Sequence, residues 1–152
     1  MSKSLYGNLA KSLTFGSLTL LLIEFILGMW INLFVSLPPG TPNRPPYQET
    51  GFMMGPFFGG MMSFGGAVMA HFMLGLLIAL VSFIIMILAF LLGDLKVMMM
   101  GVISFLFIVV AGISGLSFMM SGFTNNFYSF LMSVGFILAF SSYSALLYFL
   151  KT

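Results

Sequence analysis

The chain has 152 residues, of which 61% are hydrophobic and 5% charged, far from the roughly 45–50% apolar and about 25% charged usage of a soluble domain. Its formal charge of +2 comes from five basic and three acidic side chains, too few to build the basic face that nucleic acid requires, so nucleic acid is excluded as a partner. The absence of cysteine removes disulfides, thiolate metal sites and thiol nucleophiles together.

The N-terminal stretch carries Lys3 and Lys11 ahead of an apolar segment longer than the roughly 7–15 residues of a signal-peptide core. This first segment reads as a membrane anchor spanning about residues 13–37, interrupted by Glu24 and Asn32 and stopped by Pro38 and Pro39. It exceeds the ~20 residues that a crossing helix needs. Residues 38–62 hold all six prolines among glycines, aromatics and methionines, and read as a long outer loop lying on the membrane surface.

A second span is predicted over about residues 65–92, containing His71 and ending at Gly93 and Asp94. The third covers about 97–120 and the fourth about 127–150, joined by a short turn at Ser121 to Asn126. Short connections make consecutive helices antiparallel neighbours. The expected fold is therefore all-α: one transmembrane domain over residues 1–152, an integral membrane four-helix bundle. Lys3, Lys11, Lys96 and Lys151 fall on one side of it and Arg44 on the other, which orients both termini toward the cytoplasm of a multi-pass cell-membrane protein.

Helices in lipid recognise one another through small residues that permit close backbone approach. Spacings of three and four predict buried stripes at Glu24, Gly28 and Asn32 on the first helix and at Ala67, His71, Gly75, Ser82, Met86 and Ala89 on the second. The third helix offers Gly101, Ser104, Ala111 and Gly115, and the fourth Ser129, Ser133, Gly135 and Ala139. At 1.5 Å rise per residue, Asn32 lies about 11 Å and His71 roughly 12 Å outward of the middle of their spans. The two are expected to meet at one depth. Glu24 falls near mid-membrane, where a lipid-exposed carboxylate costs several kcal/mol by most estimates, so it should be protonated or turned to the bundle interior.

Three kinds of chemistry suit these residues. Glu24, the acidic residue inside a span, is a candidate for proton uptake, cation binding or partner contact, against the plainer reading of a register-fixing hydrogen bond. His71 is a candidate cofactor-binding residue, an axial ligand to haem b with Met69, Met73 or a methionine from another helix as partner; the plainer reading is a hydrogen bond to Asn32 or a backbone carbonyl. The same His71, Met69 and Met73 make a candidate copper site, extended by Met53, Met54, Met61, Met62, Met119 and Met120. Methionine is equally a flexible apolar filler, as Met98 to Met100 illustrate. A catalytic zinc usually takes three protein ligands, and the glycines at Gly55 to Gly66 lack the lysine of a phosphate loop. No nucleophile, base and orienting acid are spaced for acyl transfer, so no catalytic residue is assigned.

The segment Leu21 to Pro38, with Leu27-Gly28-Met29 and Asn32-Leu33-Phe34-Val35 at its centre, resembles the opening of a family of small, uncharacterised four-span membrane proteins of bacteria and archaea. His71-Phe72-Met73-Leu74-Gly75 and Gly115-Leu116-Ser117-Phe118 are similar to further patterns of that family. The resemblance implies fold and membrane location, and it singles out Asn32 and His71. It also implies a glutamine where Glu24 stands and a second histidine where this chain has Ser63 to Gly66. Three functions follow as expectations: an auxiliary subunit of a larger, respiratory-type membrane complex with other membrane subunits as partners, a haem b or copper electron carrier, and a small transporter or proton channel using Glu24.

Overall fold

The computed structural model describes residues 3–34, 65–121 and 124–150. They form four α-helices: α1 (Lys3–Phe34), α2 (Gly66–Leu92), α3 (Leu95–Met120) and α4 (Asn126–Phe149). Each is long and apolar enough to cross a membrane. Even α4, with 24 residues, rises about 36 Å against a hydrocarbon core of about 30 Å. The helical state follows from the solvent, since a backbone crossing lipid must satisfy every N–H and C=O within itself.

The expected second, third and fourth spans match α2, α3 and α4 to within two residues. The first does not, because α1 begins at Lys3, about ten residues before the expected start. Residues 3 to 12 contain no proline and continue the helix beyond the apolar run, with Lys3 and Lys11 exposed on the added turns. The expected end at residue 37, the outer loop with Arg44, Met53, Met54, Met61 and Met62, and Lys151 lie outside the described residues.

Specific residues set the turns. Gly93 ends α2 in the left-handed conformation at φ 73°, its N–H donating to the Phe90 carbonyl, a backbone state that glycine adopts without a Cβ penalty. Asp94 then caps α3: its carboxylate accepts from the backbone N–H groups of Lys96 at 2.9 Å and Val97 at 3.1 Å. Asn125 does the same for α4 through the Phe127 N–H.

Packing contacts join α1 to α2, α2 to α3, α3 to α4 and α4 back to α1, a closed ring of neighbouring helices. The seams are heptads. Along α1 the residues turned inward are Ala10, Thr14, Ser17, Leu21, Glu24, Gly28 and Ile31; along α2 they are Val68, His71, Gly75, Ile78, Ser82, Ile85 and Ala89. Alternating steps of three and four give a 3.5-residue repeat, which keeps one face against a neighbour in left-handed packing. Small side chains let the backbones close in. A Cβ on Gly101 would stand 2.8 Å from that of Ala89, and one on Gly135 would stand 3.0–3.2 Å from the N, Cα and Cβ of Ala111.

At the centre, Tyr143 of α4 is fully buried and donates its hydroxyl proton to Ser82 Oγ of α2, tying together two helices that are not ring neighbours. Around it pack Leu21, Ile78, Ile85, Ile108 and Leu146. The outer surface is the reverse of a soluble protein's: Ile26, Leu33, Leu80, Ile113, Phe130 and Ile137 all stand exposed, far more apolar surface than the few hundred Å² a soluble monomer shows. That surface suits contact with the lipid bilayer.

Candidate functional site

Antiparallel packing of α1 on α2 holds a fixed register. It sets Gly7 near Leu92, Glu24 opposite Gly75 and Gly28 opposite His71. In that register Glu24 and His71 face each other diagonally across the helix interface. Glu24 Oε1 lies 3.0 Å from His71 Nδ1, with the Glu24 side chain 14% and the His71 side chain 28% exposed. The two atoms are at ion-pair distance, but the ring N–H is not aimed along the line between them. Both Nδ1 and the second carboxylate oxygen, Oε2, are buried without an aligned hydrogen bond.

Two glycines make room for this contact, each four residues beyond the polar residue on its own helix. A Cβ on Gly28 would come within 3.1 Å of His71 Cε1, and a Cβ on Gly75 within 3.1 Å of Glu24 Oε1. Each polar side chain therefore lies in the notch of a glycine on the other helix. Positions four apart share a helix face, which is why one interface serves both members of the pair.

The expected meeting of Asn32 with His71 is not what the structure holds. His71 meets Glu24 and Gly28 instead, and Asn32 is exposed. The stripe assumed a four-residue repeat, whereas a helix turns once every 3.6 residues, so each step of four drifts by about 40°. Two steps carry Asn32 about 80° away from Glu24, and Ile31, seven residues after Glu24, takes the inward position at 8% exposure. Ser133 of α4 is exposed too, because it lies two residues, about 200° of helix, from Gly135, whereas Gly135 and Ala139 are buried as expected.

Met69 and Met73 lie two residues either side of His71, an offset of about 200° on a helix. They share a face with each other, and His71 points elsewhere; Met73 is 40% exposed. The expected His71, Met69 and Met73 ligand set therefore does not converge. Among the described residues no three His, Cys, Asp or Glu side chains are grouped to hold a metal ion. Sequence reasoning missed the Tyr143 to Ser82 hydrogen bond, although a tyrosine inside an apolar span was itself the signal, since a buried phenol seeks a partner.

The arrangement suits proton chemistry. A carboxyl and an imidazole in contact hold one proton between them at no net charge, whichever atom carries it, and so avoid the cost of an isolated charge in an apolar interior. Oε2 and Nε2 are the atoms of the pair left to hydrogen-bond a third group.

No family model, curated protein or solved structure matches this chain. Gly28 and His71, which belong to separate sequence motifs on α1 and α2, lie against each other here.

Proposed function

We propose that this chain is a multi-pass protein of the cell membrane in which the Glu24 and His71 pair takes up and releases a proton within the bilayer, as part of a small proton-linked transporter or channel. The supporting observation is the 3.0 Å contact between Glu24 Oε1 and His71 Nδ1 inside an apolar bundle, with Oε2 buried and unpartnered. Intramembrane ionisable side chains facing a bundle interior are the usual elements of proton relays. Four helices enclose little pathway alone, so the working unit is taken to be an oligomer.

Both termini are assigned to the cytoplasm and the segment after α1 to the outer side. Lys3, Lys11 and Lys96 belong to one end of the bundle, where Gly7 adjoins Leu92 and Lys96 Nζ lies 5.9 Å from the Phe149 ring centroid. Basic residues gather on the cytoplasmic side.

The test is proton flux in liposomes holding the purified protein. Glu24→Gln keeps the size and the hydrogen-bonding capacity of the side chain and removes its titration. Abolished flux with an intact fold supports the proposal; flux equal to the parent's, or a parent with none, overturns it.

A second reading, an auxiliary subunit of a larger membrane complex, draws on Asn32. Its amide is exposed on a membrane span beside exposed Met29, Leu33 and Phe34, and a carboxamide facing lipid is costly without a partner helix. Purification in mild detergent tests it: companions lost on Asn32→Leu support it, and a parent chain that purifies alone counts against it.

A further inference from the structure

Among the described residues, the buried serine and threonine hydroxyls follow a rule with two exceptions. Thr14, Ser104, Ser114 and Ser142 each donate to the carbonyl four residues back on their own helix, all at 2.7 Å, the ordinary way for a serine or threonine to satisfy itself in an apolar helix. Ser17 and Ser82 do neither. Ser17 is fully buried and its Oγ has no hydrogen-bond partner. Ser82, 1% exposed, accepts the Tyr143 proton, which leaves its own proton undonated.

These two exceptions stand at facing positions. The register that sets Glu24 opposite Gly75 and Gly28 opposite His71 also sets Ser17 opposite Ser82, one heptad toward the N-terminal end of α1. An unpaired hydroxyl in an apolar interior is destabilising, because it has lost its water without gaining a partner. Two hydroxyls that decline the nearby carbonyl and share one level of one interface point to a common third partner. Buried waters occupy such places, typically with about three hydrogen bonds to groups that lack a protein partner.

We propose that Ser17, Ser82 and Tyr143 form a binding site for a single buried water molecule. The water accepts the Ser82 proton and exchanges a second hydrogen bond with Ser17 Oγ. Its third goes to the lone pair that Tyr143 Oη keeps after donating to Ser82. Leu21 and Ile78, 3% and 2% exposed, separate this site from Glu24 and His71 along the α1 and α2 seam. The bundle thus holds two polar stations with an apolar layer between them. The proposal stands whether or not Glu24 transfers protons.

Solid-state NMR of the full chain in bilayers, recording magnetisation transfer from water, tests it directly. Ser17 and Ser82 should receive transfer from water, whereas Leu21 and Ile78 at the next level should receive none. In Ser17→Ala, transfer to Ser82 should be lost and the melting temperature should fall. Serines 17 and 82 as dry as Leu21 and Ile78 would overturn the proposal, as would a Ser17→Ala protein more stable than the parent, the behaviour of an orphan hydroxyl removed. A Ser17→Thr protein, which restores a hydroxyl, should regain transfer to Ser82.

Discussion

Gly28→Ala isolates the packing that lets Glu24 and His71 touch. The added methyl would stand 3.1 Å from His71 Cε1 and 3.7 Å from both ring nitrogens, whereas carbon atoms in good contact sit about 3.5–4.0 Å apart. The ring must therefore retreat by roughly 0.5 Å. Gly28 and Glu24 are on the same helix, so a ring pushed off one is pushed off the other. The Nδ1 to Oε1 separation, now 3.0 Å, would grow to about 3.5 Å, weakening the electrostatic contact between the two side chains. Overpacking costs about 1–3 kcal/mol, and the low end applies because a side chain yields. Replacing a helical glycine by alanine returns about 1 kcal/mol. Stability should then change by no more than about 1 kcal/mol while the pair is loosened. The chain has one histidine, so the imidazole nitrogen resonances of the labelled protein in bilayers report on His71 without assignment. The Nδ1 resonance should move in a protein whose melting temperature hardly does. A histidine spectrum superimposable on the parent's would refute the notch, and a loss above about 3 kcal/mol would show that backbone rather than side chain was wedged apart.

Gly135→Ala should behave differently, because its methyl would meet the backbone N and Cα of Ala111 at 3.0 and 3.2 Å and α3 must separate from α4; about 2 kcal/mol should be lost in detergent unfolding. Tyr143→Phe removes the donor to Ser82 while keeping the ring, and should cost about 1 kcal/mol, seen as a lower midpoint of thermal unfolding. Asp94→Ala strips α3 of the cap to Lys96 and Val97 and should cost about 1 kcal/mol, with faster amide exchange confined to the first turn of α3.

Composition and run length made the fold legible. Four apolar stretches of spanning length can satisfy their backbones in lipid only as helices, so their number and the small-residue character of Gly101, Gly135 and Ala139 could be read directly. The start of α1 could not, because residues 3 to 12 are too polar to register as a span and yet contain nothing to break a helix. Glu24 and His71 were each visible as ionisable side chains in apolar surroundings. Their partnership was not, because the depth estimate took the middle of the first span from an expected start at residue 13, and a stripe counted in fours favoured Asn32.

Residue type and spacing therefore fix local features: which segments span, where Gly93 and Asp94 turn the chain, and which polar side chains must be buried or paired. Which of them meet depends on how the helices pack. Register between two helices is set by how notches and knobs interdigitate along a 3.5-residue seam, and a slip of one heptad preserves every small residue's general role while changing every partner. Gly28 receiving His71 and Gly75 receiving Glu24 fix that register. With it fixed, Ile31 rather than Asn32 turns inward, and Glu24 comes to lie beside His71.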